Sequence, residues 1–498
     1  MAREHHLAPS ERSQAYADAI FAIVATIMIV PLSGEAVREI AENENLLDGI
    51  GEIWFKLVVY ALSFGLVSST WDLHAWVFRM IEKVNETIVL LNLGVLMLAT
   101  FLPYAFLMFA EHPREPLAVA LFSGCVAIQG FFMLAILWHA SSRPNLLKKE
   151  LAQQGTEKMK SLRTRATIRV MIRPIIYLIA IPVSYGSVEV AWALLVLAVL
   201  KPVLYTVGDA IVQCSRGNVK SGTKLLKLSR LYSETSDVVR TNAYSDGVYA
   251  IVATLIILDI CVNNVPATGL LDIHGTLAET LARDADVFLS YAGTFVTICL
   301  LWYLHHSMFY LIRAQNSLLL TFNKLALLFA GYLPIVFKLT GEFGHLVRNQ
   351  NSSVAVQLNS GTVFMASVWL LAIWITAMSK KSELLRPSAH DIHDCIFMYL
   401  NLLIYPIVSL VIFCVCFAIP VPSAVINGAQ IALIAVFILL KLLRNWTQRC
   451  VRKSEPKESP EIGDIGEELS SGKGEPDGPT KEDLEGYDNP VEVESTSL

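Results

Sequence analysis

The sequence predicts an all-α integral membrane protein in which twelve transmembrane helices form two parallel six-helix repeats. Three observations lead to this fold class: the composition, the long apolar runs and a 21-residue stretch that occurs twice. The chain is 54% hydrophobic and only 17% charged, with a mean hydropathy of +0.51. Because soluble domains carry roughly 25% charged residues, this composition excludes an ordinary soluble protein and indicates several membrane crossings.

The duplicated stretch shows how the chain is organised. It reads RSQAYADAIFAIVATIMIVPL from Arg12 and RTNAYSDGVYAIVATLIILDI from Arg240, with about 10 of the 21 positions identical. Further landmarks follow both copies in the same order: WDLHAWVF from Trp71 and WYLHHSMF from Trp302, then FLPYAF and YLPIVF. Each copy therefore opens a unit of about six helices. An even number of helices gives both units the same orientation in the membrane.

Apolar windows long enough to cross roughly 30 Å of hydrocarbon place six helices in each unit. The first unit (16–208) follows a short cytosolic N-terminus (1–15), and a basic linker (209–242) joins it to the second unit (243–444). The acidic tail (445–498) lacks apolar periodicity, which predicts disorder. The predicted spans are 16–32, 53–73, 87–108, 116–138, 170–186, 189–208, 244–261, 286–306, 317–338, 360–378, 395–417 and 423–443.

Positive charge is distributed unevenly over the loops. Alternate loops are rich in lysine and arginine, above all 139–169 and 209–242, whereas the loops 33–52 and 262–285 are acidic. The positive-inside rule therefore places both termini in the cytosol. The sequon at Asn351 then falls on the non-cytosolic side, where it is a candidate glycosylation site.

One face of the duplicated helix carries the same pattern in both copies. Residues at i, i+4, i+7 and i+11 share a helical face, and here that face combines isoleucine with threonine. Around a shared axis, rings of hydroxyls can replace part of an ion's water shell, and apolar rings can gate by dewetting. The same spacing also fits simple packing, with each threonine bonded to its own helix. The candidate pore-lining residues are Ala19, Ile23, Thr26, Val30, Gly247, Ile251, Thr254 and Leu258.

An aspartate lies about one turn into each copy of this helix, at Asp18 and Asp246. Acidic groups favour a helix N-terminus, so a cap is one interpretation, but a charge this close to hydrocarbon also needs a partner. Because Asp18 points away from the Ile23 face, we expect it to lock the helix in place. Arg12 and Arg240, about two turns earlier, are candidate interfacial anchors. The candidate interhelix partners are Trp71, His74, Asn92, Trp302, His305 and Asn323.

These residues resemble the signature of a known family. Arginine, three residues and then Phe-Ser-Asp at the start of a six-helix unit is typical of the endosomal and lysosomal potassium channels, the transmembrane protein 175 family. The copies here are Arg12 with Tyr16-Ala17-Asp18, and Arg240 with Tyr244-Ser245-Asp246. Tyrosine replaces phenylalanine in both copies. Alanine replaces the serine in the first copy, so the first repeat must be held differently if that serine holds the helix.

The resemblance, which covers residues of about 10 to 445, implies both an assembly and a function. It implies a homodimer with a pseudo-fourfold pore, lined by the first and seventh helices, in the endosomal or lysosomal membrane. Ile23 and Ile251 would then form an isoleucine constriction, with Thr26 and Thr254 next along the path. It also implies a potassium-selective leak channel that passes protons, so these ions would be permeant species rather than cofactors.

A secondary transporter of the major-facilitator type is the main alternative, because it too has two parallel six-helix halves. The segment DLHAWVFRMIEKVNE lacks the Gly-Asp-Arg-Arg-type sequence of that class. The sequence contains no HExxH or GxSxG motif that would predict an enzyme, and its 8 cysteines form no zinc or disulfide pattern. We therefore expect no metal, cofactor or nucleic acid, and we place contacts with cytosolic regulators at the linker or the tail.

Overall fold

The described part of the chain is almost entirely helical, so the predicted all-α class is confirmed. One compact unit spans Met1–Asn445, and Trp446–Leu498 form a second. Most of the predicted linker and the tail beyond residue 454 lie outside the described residues. The structure, a computed structural model, describes residues 7–30, 46–153, 156–199, 238–265, 276–283, 285–343, 350–390, 392–419 and 421–454.

The first half begins with helix α1, and its helices start at recognisable signals. Asn85 caps α3 by accepting a hydrogen bond from the Ile88 amide at 3.1 Å, and a proline opens α4, as expected where amides lack helical partners. The helices are α1 (Glu11–Ile27), α2 (Leu46–Phe78), α3 (Glu86–Glu111), α4 (Pro116–Ser141), α5 (Lys149–Ala152), α6 (Thr156–Gly186) and α7 (Val188–Val199), with a 3-10 turn at Pro144–Leu146.

The second half repeats this order from helix α8 onward. Asn316 caps α11 through the Leu319 amide at 2.8 Å, in the same way that Asn85 caps α3. The helices are α8 (Val238–Asn263), α9 (Leu277–Arg283), α10 (Ala285–Leu311), α11 (Ser317–Gly331), α12 (Leu333–Phe343), α13 (Gln350–Ser379), α14 (Lys381–Leu384), α15 (Ile392–Ala418) and α16 (Ser423–Ser454), with a 3-10 turn at Pro387–His390.

Nine helical segments within the described ranges are long and apolar enough to cross a membrane. Each overlaps one of the twelve predicted spans. The other three predicted spans meet a 17-residue helix (α1), a 33-residue helix (α2) and the short apolar helix α7. The arrangement as two parallel repeats of six spans stays a prediction. The nine segments are Glu86–Glu111, Pro116–Ser141, Glu157–Gly186, Val238–Val262, Ala285–Leu311, Ser317–Phe343, Asn351–Ser379, Asp394–Ala418 and Ser423–Thr447.

Several helices extend beyond their predicted bounds, among them α2, α13 and α16, and α16 continues to Ser454, past the predicted start of the tail. Two further spans differ for local reasons. The span predicted at 170–186 is the end of α6, which begins at Thr156 because its basic segment continues the helix. The span predicted at 317–338 is divided at Tyr332 into α11 and α12. Pro334 lies just after this division, where its missing amide donor costs the helix least, whereas Pro103 lies inside an unbroken α3.

A short sheet fixes the start of α1 on the side where the chain begins. Strand β1 (Ala8–Pro9) pairs antiparallel with β2 (Lys83–Val84). Ser10 adds two hydrogen bonds, from its amide to the Glu82 carbonyl at 3.2 Å and from its hydroxyl to the Ile81 carbonyl at 3.0 Å. The first helix is therefore attached to the loop between α2 and α3 before it enters the bundle.

Candidate functional site

The two duplicated helices, α1 and α8, lie side by side and join the two halves of the chain. An ideal Cβ built on Gly247 would lie 2.8 Å from the Cβ of Ala22. Side-chain carbons do not approach so closely, so the glycine allows this contact between the two helices. Small residues have this role in many membrane helix pairs.

Asp18 is held by three polar contacts at this junction. The Trp71 indole nitrogen donates to Oδ1 at 2.7 Å, the Arg240 Nε donates to Oδ2 at 3.1 Å, and the Arg240 Nη2 also donates to Oδ1. The aspartate is 2% exposed and the arginine 4%. Arg240 is thus a buried bidentate partner rather than an interfacial anchor, and its ion pair ties the second half to the first.

A line of hydrogen bonds continues from this ion pair into α2 and α3. Arg240 Nη2 lies 3.2 Å from His74 Nδ1, and His74 Nε2 lies 2.8 Å from Asn92 Oδ1. Because arginine only donates, Nδ1 accepts and the proton of the neutral imidazole is on Nε2. The Asn92 amide nitrogen then donates to the Ser13 hydroxyl at 3.1 Å.

Ser13 explains how the first repeat does without the motif serine. In the second half, the Asn323 amide nitrogen donates to the Ser245 hydroxyl at 3.0 Å. Position 17 in the first half has alanine, and the hydroxyl comes from Ser13, one turn earlier on the same face of α1. Both helices are therefore bonded to the following asparagine, but from different turns.

The second half repeats the aspartate site, but no described arginine contacts Asp246. The Trp302 indole donates to Asp246 at 2.8 Å, and His305 Nε2 lies 3.0 Å from Asn323 Oδ1. Asp246 is only half-buried and Arg12 is exposed. The Nδ1 of His305, which corresponds to the atom that accepts from Arg240 in the first half, is buried and finds no partner in the described part of the chain.

Tyr244 shows the same contrast between an occupied and an open position. Its ring stacks on Trp71 with centroids 4.4 Å apart, and its hydroxyl lies 2.9 Å from the Ser68 hydroxyl. The corresponding Tyr16 is 55% exposed and Trp302 is 38% exposed. One junction between the repeats is therefore complete within the chain, and the residues of a second junction lie open.

The predicted pore-lining residues divide between the exposed faces of α1 and α8 and their junction. Ile23 is 44% exposed, and Ala19, Thr254 and Leu258 are also exposed. Val30, Gly247 and Ile251 are half-buried, and Thr26 is fully buried. The hydroxyl of Thr26 donates to the Ala22 carbonyl at 2.8 Å and that of Thr254 to the Ile251 carbonyl at 2.8 Å.

Asn351 and an ion pair between the halves differ from what the sequence predicted. Asn351 lies in the first turn of α13, where it is 8% exposed and its side-chain oxygen accepts from the Leu46 amide at 3.1 Å. This setting is a packed helix start rather than an exposed loop. Lys324 of α11 and Asp72 of α2 form an ion pair between the halves, which no repeated pattern indicates. No cluster of metal ligands occurs among the described residues.

The profile of the family described as endosomal/lysosomal potassium channel TMEM175 matches residues 12–103 and 240–334. A Gallus gallus protein named endosomal/lysosomal proton channel TMEM175 is 33% identical over 445 residues, which cover 87% of each chain. The Danio rerio protein of the same name is 32% identical over 447 residues, covering 87% of this chain and 84% of its own.

A solved structure is also similar. It is the crystal structure of a lysosomal potassium-selective channel TMEM175 homolog from Chamaesiphon minutus. It shares 23% sequence identity, with a TM-score of 0.34, and the match covers 42% of this chain and 99% of that one.

Proposed function

This chain belongs to the endosomal/lysosomal potassium channel TMEM175 family, and on that premise we propose that it is a potassium-selective leak channel of endosomes and lysosomes that also passes protons. The family description contains potassium and the names of the relatives contain proton, so both ions belong to the proposal. These relatives are named as channels, which gives no support to a transporter or an enzyme. Both termini face the cytosol in this proposal, in accord with the basic loops.

The observation that carries the proposal is the pair of unequal junctions around α1 and α8. Within one chain, Arg240 occupies the site formed by Asp18 and His74. In the matching site, Asp246 and the Nδ1 of His305 meet no arginine among the described residues, while Arg12 is exposed. A second copy of the chain would place Arg12 of each subunit in the open site of the other. The result is a closed ring of four helices with pseudo-fourfold symmetry.

Exposed apolar residues on α3 and α10 support the same assembly. Inside the chain, Lys324 pairs with Asp72. Their counterparts in the other repeat, 231 residues away by the alignment of Trp71 with Trp302, are Leu93 and Tyr303, and both are exposed. The open copy of this junction is thus apolar, as expected for a surface buried by a second subunit.

A second contact of the internal junction has an open copy as well. The Tyr332 ring lies 5.0 Å from that of Tyr60, and its hydroxyl donates to the Leu57 carbonyl at 2.7 Å. Phe101, the counterpart of Tyr332, is exposed. The homodimer would bury it against the partner in the position that Tyr332 takes within the chain.

The central axis of this dimer would be lined by α1 and α8 of both subunits. Each of these helices is covered on one side by the other. Residues on its remaining sides are exposed, among them Ile23, Ile27, Thr254 and Leu258. Ile23 and Ile251 of two chains would supply a ring of four isoleucines. Such a ring can exclude water and close the path when it is narrow.

An exchange of charge tests the homodimer. Arg12→Asp is expected to convert most of the protein to monomer, because it places two carboxylates together at each subunit contact, and breaking a buried ion pair costs about 3–5 kcal/mol. Asp246→Arg in the same chain is expected to restore dimer, since the two positions meet across the contact. Light scattering coupled to size-exclusion chromatography measures the mass. Arg165→Asp, on the exposed face of α6, is the control. A dimeric Arg12→Asp variant would contradict the assembly.

Liposome flux tests the channel. Purified protein in liposomes is expected to carry potassium down its gradient without a second ion, faster than sodium, and to dissipate an imposed pH gradient. A potassium-sensitive dye and a pH-sensitive dye report the two fluxes. Uphill potassium movement driven by a proton gradient would establish the transporter alternative instead.

A further inference from the structure

Four side-chain oxygens lie buried inside the second half with no hydrogen-bond partner among the residues that the structure describes. They are Oγ of Ser290 and Oγ1 of Thr294 on α10, and Oδ1 of Asn427 and Oε1 of Gln430 on α16. Each of the four residues is less than one-tenth exposed. Buried polar groups in folded proteins are almost always hydrogen-bonded, so such a group indicates a missing partner.

The two helices touch at the level of these oxygens. An ideal Cβ on Gly293 would lie 2.8 Å from Gln430 Oε1 and 3.0 Å from the Cα of Asn427. Ser290 precedes this glycine by three residues and Thr294 by four, so Ser290 shares a helical face with each of them. The oxygens therefore belong to one region rather than to four separate places.

The amide nitrogen of Gln430 is already engaged in a line of polar side chains that runs deeper into the bundle. Gln430 Nε2 donates to Asn359 Oδ1 on α13 at 3.5 Å, and Asn359 Nδ2 donates to Thr340 Oγ1 on α12 at 3.4 Å. The network thus fixes the orientation of the Gln430 side chain and leaves its oxygen free. A ligand in this region would have to offer hydrogen-bond donors.

The first half has mainly apolar side chains at the corresponding level. At a spacing of 231 residues, the counterparts of Ser290, Gly293 and Thr340 are Val59, Leu62 and Phe109. These three line a small cavity with other, mainly apolar side chains. Thr294 has a polar counterpart, Ser63, which lines the same cavity, so three of these four positions have a polar side chain or a glycine only in the second repeat.

We propose that these four oxygens form a binding site for ordered water within the second repeat. Two hydroxyls and two amide oxygens offer both donors and acceptors, which is the set that water needs. None of the four is charged, and a desolvated cation among neutral groups in a membrane bundle would lack a counter-charge. The site lies near the end where α10 and α16 begin, since Ser290 is roughly 8 Å along α10 at about 1.5 Å per residue.

The site has a consequence for the pathway because α10 packs directly against α8. Bound water would lie against α10, a helix that contacts the one carrying candidate pore-lining residues. This inference concerns the interior of one chain, so it does not depend on the homodimer or on ion selectivity.

The sign of a stability change tests the proposal. Thr294→Val in the full-length protein is expected to lower the unfolding temperature by roughly 1–3 °C, because valine cannot bond to the water. If the region is dry, the same change removes an unpaired polar group and raises the temperature or leaves it unchanged, which would overturn the proposal. Thr376→Val on α13 is the matched control, since that hydroxyl donates to the Ala372 carbonyl of its own helix at 2.8 Å.

Two further measurements identify the ligand independently of that variant. A density map that resolves solvent is expected to show peaks within hydrogen-bond distance of Thr294 Oγ1 and Asn427 Oδ1. The unfolding temperature is expected to be equal in potassium and in N-methylglucamine. No peak at the site would overturn the proposal, and so would a potassium-dependent stabilisation that Thr294→Val abolishes.

Discussion

Replacing Arg240 with alanine is expected to remove most of the folded protein. Arg240 is the buried partner that connects the second half to Asp18 of the first, and without it the Asp18 carboxylate keeps only the Trp71 indole. Breaking a buried ion pair in this way costs about 3–5 kcal/mol, a large part of the roughly 5–15 kcal/mol by which a typical domain is stable. The yield and unfolding temperature of the purified protein, followed by fluorescence-detected size-exclusion chromatography, measure the effect.

Two companion variants separate charge from geometry. Arg240→Lys keeps the charge but loses the bidentate contact, so its stability is expected to lie between wild type and Arg240→Ala. Adding Asp18→Asn to Arg240→Ala removes the stranded carboxylate and is expected to recover part of the loss, as a double-mutant cycle would quantify. Arg240→Ala with wild-type stability would show that another contact joins the halves.

Replacing both Ile23 and Ile251 with asparagine is expected to increase ion flux and to reduce the preference for potassium over sodium. The change would hydrate a constriction that is otherwise apolar. We expect an increase on the order of tenfold, which corresponds to a barrier lowered by about 1.4 kcal/mol. Potassium and sodium fluxes in liposomes with equal amounts of reconstituted protein measure both effects.

The matched control keeps the constriction apolar. Ile23→Val with Ile251→Val removes one methylene at each position, so its selectivity is expected to stay close to wild type. If the asparagine variant instead carries wild-type currents, the narrowest point of the pathway lies elsewhere than at these two residues.

Much of the site's framework follows from the sequence because it is built from local repeats. The tryptophan, histidine and asparagine landmarks occur in both halves, and the structure brings each tryptophan to its aspartate and each histidine to its asparagine. The sequence could not show that the histidines and asparagines bond mainly to each other. Several polar side chains of similar length lie at the same depth along these helices. Helical spacing alone does not rank such partners.

The contacts between the halves could not be read from the sequence. Arg12 and Arg240 have equivalent positions in the two copies, so the pattern does not reveal that only Arg240 is buried within its own chain. The Asp72–Lys324 pair has no counterpart in the other repeat, and Ser13 lies one turn before position 17, among the three residues that the motif leaves unspecified. Each depends on how two helices distant in sequence meet.

The Asp72–Lys324 ion pair also bears on inheritance. The proposed dimer has four contacts between repeats, one within each chain and two between the chains. The ion pair occurs only in the contacts within the chains, so a substitution at either residue would change two of the four. In a cell that makes equal amounts of normal and altered chains, each mixed dimer would have this change in one of its four contacts between repeats. The loss of dimer stability caused by variants at this pair is therefore expected to be proportional to gene dosage. Variants at Ile23 would instead change the shared ion pathway in every dimer that contains them.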